Sequence, residues 1–247
     1  MKEQIHIAAQ YLAAAGISFL EKRDDDSHTN LGFNIEKGTL ETHLLSAQGD
    51  LLSFNYKNFS LEWESLDGIR SFPLDGKTHP EVLQWIEKRA NEYLGKTYQY
   101  NLHYDLPYSI SDTYRFLLSN AEELNYLCNL RTRVVHVLER VIEDRQLKSP
   151  IRVWPHHFDS GGFSALHEGS DIAIGFGMAI PDAISNDHYY YIGAYQGHDP
   201  ISPKDFKRLT HGNWMDEGFV GAILPVSNIT EPEAIAFFNE AIDQFIL

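Results

Sequence analysis

Residues 73–81 read Pro-Leu-Asp-Gly-Lys-Thr-His-Pro-Glu, and residues 225–233 read Pro-Val-Ser-Asn-Ile-Thr-Glu-Pro-Glu. A shift of 152 residues (225 − 73 = 152) superimposes them without a gap, matching both prolines, the threonine and the glutamate. Each stretch reads as the end of a strand, a turn, and the start of a helix. Gly76 and Asn228 share one turn position, and they are the residue types most at ease at positive φ. Thr78 and Thr230 each stand three residues before a glutamate, the spacing of a capping box, and Pro80 and Pro232 suit a first helical turn. Downstream, Ile86, Tyr93 and Leu94 fall opposite Phe238, Phe245 and Ile246. Two origins stay open: convergent turn-and-cap chemistry, or two related halves, 1–105 and 106–247, with a cleft between them, a favoured place for a ligand.

Working outward, helices are expected over 81–94 and 231–246, and one long or two consecutive helices over 111–147. Residues 31–35, 40–45 and 51–63 read as strands punctuated by Gly38 and Gly49-Asp50. Residues 151–159, 172–180, 188–195 and 218–224 read as a second set. No crossover helix separates neighbouring strands, so antiparallel pairing follows. Residues 97–105 alternate strictly, with Tyr98, Tyr100, Leu102 and Tyr104 on one side. The expected fold is α+β: a largely antiparallel sheet from two strand-rich regions flanked by helices, in a single unit over 1–247.

The chain has 247 residues, 43% of them hydrophobic and 22% charged, the composition of a globular protein. Its net charge is 20 − 35 = −15, and residues 151–247 alone carry 4 − 13 = −9. That balance opposes a nucleic-acid partner, which needs clustered Lys and Arg. The single cysteine, Cys128, excludes an intrachain disulfide and reads as a small buried apolar residue. The apolar run 11–20 is too short to span a bilayer and lacks the basic start of a signal peptide. An amphipathic surface helix, no membrane partner and a cytoplasmic location are the corresponding expectations.

Histidine placement carries the functional reading. Six of the twelve histidines fall between positions 156 and 211. Taken as one strand, 152–159 puts His157 and Asp159 on one face and His156 on the other. A carboxylate beside an imidazole can fix its tautomer for proton transfer, or both can ligate a divalent metal. His157 and Asp159 are therefore the candidate catalytic pair, and His157, Asp159 and His188 the candidate metal set. Trp154, His156, Tyr189, Tyr191 and His198 are candidate substrate contacts. Pro155 cannot donate to a ladder, so the segment should lie at a sheet edge or be bulged. Ser160-Gly-Gly162 reads as a tight turn. A satisfied, half-buried histidine explains the same pattern, and no named metal motif is matched.

Trp154-Pro-His-His-Phe-Asp159, Tyr189-Tyr-Tyr-Ile-Gly-Ala-Tyr195 and Gly218-Phe-Val-Gly-Ala-Ile-Leu-Pro225, in that order, resemble a bacterial domain-of-unknown-function family. The resemblance covers most of the chain. It implies an aromatic-x-x-x-Phe-Asp frame, which favours Asp159 over the two histidines, and it implies no reaction. Ser160-Gly-Gly162 departs from that frame, where apolar strand residues would continue. The expected function is a small-molecule enzyme using His157 and Asp159 in a Tyr-rich cleft. The alternatives are a non-catalytic small-molecule-binding protein and a protein-interaction module.

Overall fold

The structure, a computed structural model, describes residues 1–246. It is an α+β fold with two antiparallel sheets. Two compact units are present: Met1–Thr132 with Val153–His156, and Arg133–Arg152 with His157–Leu247. Their bounds differ from halves meeting between 105 and 106.

The first unit opens with α1 (Lys2–Phe19). Every residue from Ile5 to Gly16 is buried, so α1 is a central helix and not the amphipathic surface helix expected. Apolar or small side chains all round the helix leave no polar face to put in water. Two polar residues inside it are bonded: His6 Nε2 and Gln10 Nε2 lie 2.7 and 2.8 Å from the Pro155 carbonyl oxygen. The strands β1 (Gly32–Asn34), β2 (Thr39–Glu41), β3 (Leu51–Asn55), β4 (Ser60–Ser65) and β5 (Gly68–Pro73) form a meander in chain order. Helix α2 (His79–Leu94) follows.

Residues 96–120 form no sheet, yet their alternation is real. Tyr98 is buried and Tyr100, Leu102, Tyr104, Leu106 and Tyr108 are half-buried, while the alternate residues Gln99, Asn101, His103, Asp105 and Pro107 are exposed. The strap is tied to α1 by the Tyr98 hydroxyl on the Tyr11 carbonyl (3.1 Å) and the Tyr104 hydroxyl on Gln10 Oε1 (2.7 Å). Residues 111–120 were expected to be helical. Instead their backbone pairs with the turn before α2, through Phe116 N to the Lys77 carbonyl and His79 N to the Tyr114 carbonyl. Those bonds outweigh local helix propensity, and α3 (Ala121–Arg145) starts only after Asn120, whose Oδ1 accepts the Glu123 amide.

The second sheet contains β6 (Arg152–Trp154), β7 (Asp159–Ala165), β8 (Ile172–Ala179), β9 (Tyr189–Gln196), β10 (Asp199–Pro200), β11 (Asn213–Met215) and β12 (Gly221–Pro225). Its order is β11-β12-β9-β8-β7-β6, with β10 on β9. Helix α4 (Glu231–Ile246) packs Phe238 against Phe176 and Tyr190 on one face of this sheet. Burying each such ring contributes about 1.5–3 kcal/mol. At the far end of α3, Arg145 clamps α4 through Asn239 and Asp243.

The likeness between 73–81 and 225–233 extends into three dimensions. Gly76 and Asn228 both have positive φ, +76° and +61°. Glu81 accepts from Thr78, and Glu233 from Thr230, through backbone and hydroxyl alike. Leu40, Phe54, Leu61 and Phe72 form one cross-strand row in the first sheet. Ser160, Met178, Tyr190 and Leu224 form the corresponding row in the second. Both β1–β2 and β6–β7 are four-residue turns ending on a positive φ, at Gly38 and Phe158.

Candidate functional site

The strand expected over 151–159 does not exist as one element. β6 stops at Trp154, residues 155–158 turn, and Phe158 sits at φ +59° before β7 begins at Asp159. The period-of-two argument that paired His157 with Asp159 therefore does not apply. His156 and His157 are exposed on the turn, and Asp159 is half-buried at the start of β7. Ser160-Gly-Gly162 is a stretch of strand and not a turn. As Pro155 required, β6 lies at the edge of its sheet.

Glycines in mid-strand make sense once their neighbours are named. Tyr191 on β9 stands opposite Gly177 on β8, and Gly177 opposite Gly161 on β7. A Cβ on either glycine would lie 2.9 Å from the Tyr191 hydroxyl. The phenol thus lies flat across β8, in space only two glycines can leave. Its hydroxyl donates to Asp159 Oδ2 at 2.5 Å, the length of a charge-assisted O–H···O bond. Burial first, and then the Asp159 carboxylate, push the Tyr191 phenol well above its usual range, so it remains a fixed neutral donor.

Tyr189 repeats the pattern two residues earlier, on the same face, with its hydroxyl 2.8 Å from Asp182 Oδ2. Burial and that bond raise its phenol too, with a smaller push from Asp159. Aromatic rings border the glycine floor. Phe219 meets Tyr191 edge-on at 6.2 Å, and Phe163 lies 6.3 Å from Tyr195. Phe163 is 60% exposed, a large apolar ring left in water.

Comparison with protein families, curated proteins and solved structures finds no match to this chain. The functional reading rests on geometry alone.

The remaining sequence candidates separate. His188 is buried immediately before β9, where its carbonyl accepts the Val226 amide. His198 lies exposed on the β9–β10 turn, at the opposite end of an eight-residue strand from Tyr189. That is ~25 Å away at ~3.3 Å per residue, too far to share a small ligand with Asp159. Trp154 and His156 fall in the first unit, where the His156 ring lies 5.6 Å from Tyr104. Among the described residues, no group of three or more His, Cys, Asp or Glu side chains is placed to hold a metal ion. The set His157, Asp159 and His188 is not assembled as a ligand cluster. Among the described residues, no helix is long and apolar enough to cross a membrane.

Sequence reasoning chose Asp159, Tyr189 and Tyr191 but missed Asp182, Gly161 and Gly177 as parts of one arrangement. Gly161 and Gly177 had a usable signal: glycines inside strand patterns mark close approach of another group.

Proposed function

We propose that this protein binds a small molecule through the Asp159–Tyr191 pair, without catalysing a reaction on it. The carrying observation is the 2.5 Å bond that fixes the carboxylate above a glycine floor. A carboxylate so oriented suits a cationic or strongly hydrogen-bond-donating head group. The rings of Tyr195, Phe163 and Phe219 suit a flat apolar body, and their faces favour positive charge. Small aromatic amines are the ligand class with both features. Tyr191, held neutral, orients the carboxylate and does not exchange protons at physiological pH.

A panel of aromatic amines and matching neutral alcohols, followed by ligand-observed NMR on the full chain, tests the reading. Amines should bind, and Asp159→Asn should weaken them at least about tenfold, about 1.4 kcal/mol. Equal binding to the variant, or preference for the alcohols, would refute the assignment. Turnover of a bound amine that disappears in His157→Ala would favour the enzymatic alternative, with His157 as the proton-transfer group.

A further inference from the structure

The first unit contains a pocket unrelated to Asp159. Where α1 ends, the Leu20 amide bonds back to the Gly16 carbonyl and the chain leaves in extended conformation. It returns through Asp26, at φ +54°, into a single 3-10 turn, Ser27–Thr29. Gly16 makes this return possible, because a Cβ there would lie 2.5 Å from the His28 carbonyl oxygen. His28 is thereby seated on the helix with 6% of its surface exposed.

A pocket of about 400 Å³ opens beside it, within the size range of small-molecule sites. Leu20 and Leu44 supply an apolar wall, and Leu44 is 61% exposed. Lys22, Arg23, His28 and His43 supply the polar lining, with Glu21 as the opposing charge. Among the described residues neither Lys22 nor Arg23 is in an ion pair, although acidic side chains outnumber basic ones 35 to 20. Arg23 acts on Asp25, whose carboxyl is held down first by its bonds from Ser27 and in smaller part by this cation, while Lys22 is the cation at the concavity without an ion-pair partner among the described residues.

The histidines have defined roles. His28 Nδ1 accepts the Arg23 amide at 3.4 Å, which leaves Nε2 as the N–H of a neutral ring. Burial, helped by His103, Lys22 and Arg23 and opposed by Asp26, holds this imidazole below its usual pKa. His43 donates from Nε2 to the Ser27 carbonyl (3.0 Å) and Asn30 Oδ1 (2.9 Å), bracing the turn that carries His28. One neutral donor and two exposed cations, Arg23 also bonded through Nη1 to Ser27 Oγ at 3.4 Å, lie beside a leucine wall, a combination that suits an anion with an apolar body.

We propose that this pocket binds a small organic anion, with a phosphate or carboxylate head at Lys22, Arg23 and His28 and its body against Leu20 and Leu44. The test is a ¹H–¹⁵N titration of the full chain with phenyl phosphate, benzoate, inorganic phosphate and phenol. Phenyl phosphate or benzoate should shift amides at 20–23, 28, 43 and 44, and the better of the two identifies the head group. Inorganic phosphate should bind more weakly, and phenol should leave these amides unmoved. Lys22 and Arg23 are exposed, so K22Q/R23Q should keep the rest of the spectrum and weaken binding at least tenfold. Unmoved amides at tens of millimolar, undiminished affinity in K22Q/R23Q, or phenol binding equally well would overturn the proposal. Asp159→Asn should bind phenyl phosphate as the unaltered chain does, which separates this site from the one in the second unit.

Discussion

Adding one methyl group at Gly177 and at Gly175 should have opposite consequences, although both glycines lie on one face of β8 two residues apart. At Gly177 the new Cβ would lie 2.3 Å from the Ser160 carbonyl oxygen, 2.8 Å from the Gly161 Cα and 2.9 Å from the Tyr191 hydroxyl. Two of those atoms are backbone of the paired strand β7 and cannot withdraw without loosening the ladder. Overpacking of this kind costs about 1–3 kcal/mol, and the loss of the Tyr191–Asp159 bond adds about 1.5–3 kcal/mol. Gly177→Ala should therefore destabilise the second unit by about 2.5–6 kcal/mol. At Gly175 the nearest atoms are ring carbons of Phe163 and Tyr195 at 3.6 and 3.7 Å, ordinary contact distances. Relieving the backbone entropy of a strand glycine should leave Gly175→Ala neutral, or stabilised by up to about 1 kcal/mol. Urea denaturation followed by circular dichroism, with both variants beside the unaltered chain, measures the difference. Midpoints for the two variants within about 1 kcal/mol of each other would refute the reasoning, because backbone crowding would then not be what keeps position 177 a glycine.

Tyr104→Phe, which removes a hydroxyl bonded to Gln10, should cost about 1 kcal/mol of stability. Tyr100→Phe should cost nothing or stabilise, because its buried hydroxyl has no partner among the described residues; the same denaturation curves compare them. Thr78→Ala should lose about 1 kcal/mol through the α2 cap, read as a lower urea midpoint. The Glu81 carboxyl, held down by its bonds to the Thr78 backbone and side chain and to Lys77, should titrate at about 2 in a carboxyl-carbon NMR experiment. Its folded pKa lies below the unfolded value, so its stabilisation is present above about 4.5 and fades as pH falls towards about 2.

Local chemistry was legible wherever it decided the structure. The proline, threonine and glutamate positions before α2 and α4 foretold both capping boxes, and Gly76 and Asn228 foretold both positive φ values. Long-range competition was not legible. Residues 111–120 carry a helical pattern, but the backbone groups of the turn at 76–79 claim their hydrogen bonds. Phe158 gives no hint of φ +59°, since a phenylalanine there breaks the propensity rule that Gly38 obeys in the first sheet. Asp159 and Tyr191 were both picked out, yet their bond depends on β7, β8 and β9 being neighbours in that order. The pocket at His28 rests on Gly16, a close approach that only coordinates reveal.

The grip of His6 and Gln10 on the Pro155 carbonyl sets a schedule for synthesis. The amide of Gln10 waits 145 residues for its acceptor, about 7–30 s at ~5–20 residues per second. Throughout that interval a helix destined for the interior from Ile5 to Gly16 has been translated but lacks this acceptor. A chain whose synthesis halts before Pro155 would hold that helix without the acceptor shared by His6 and Gln10.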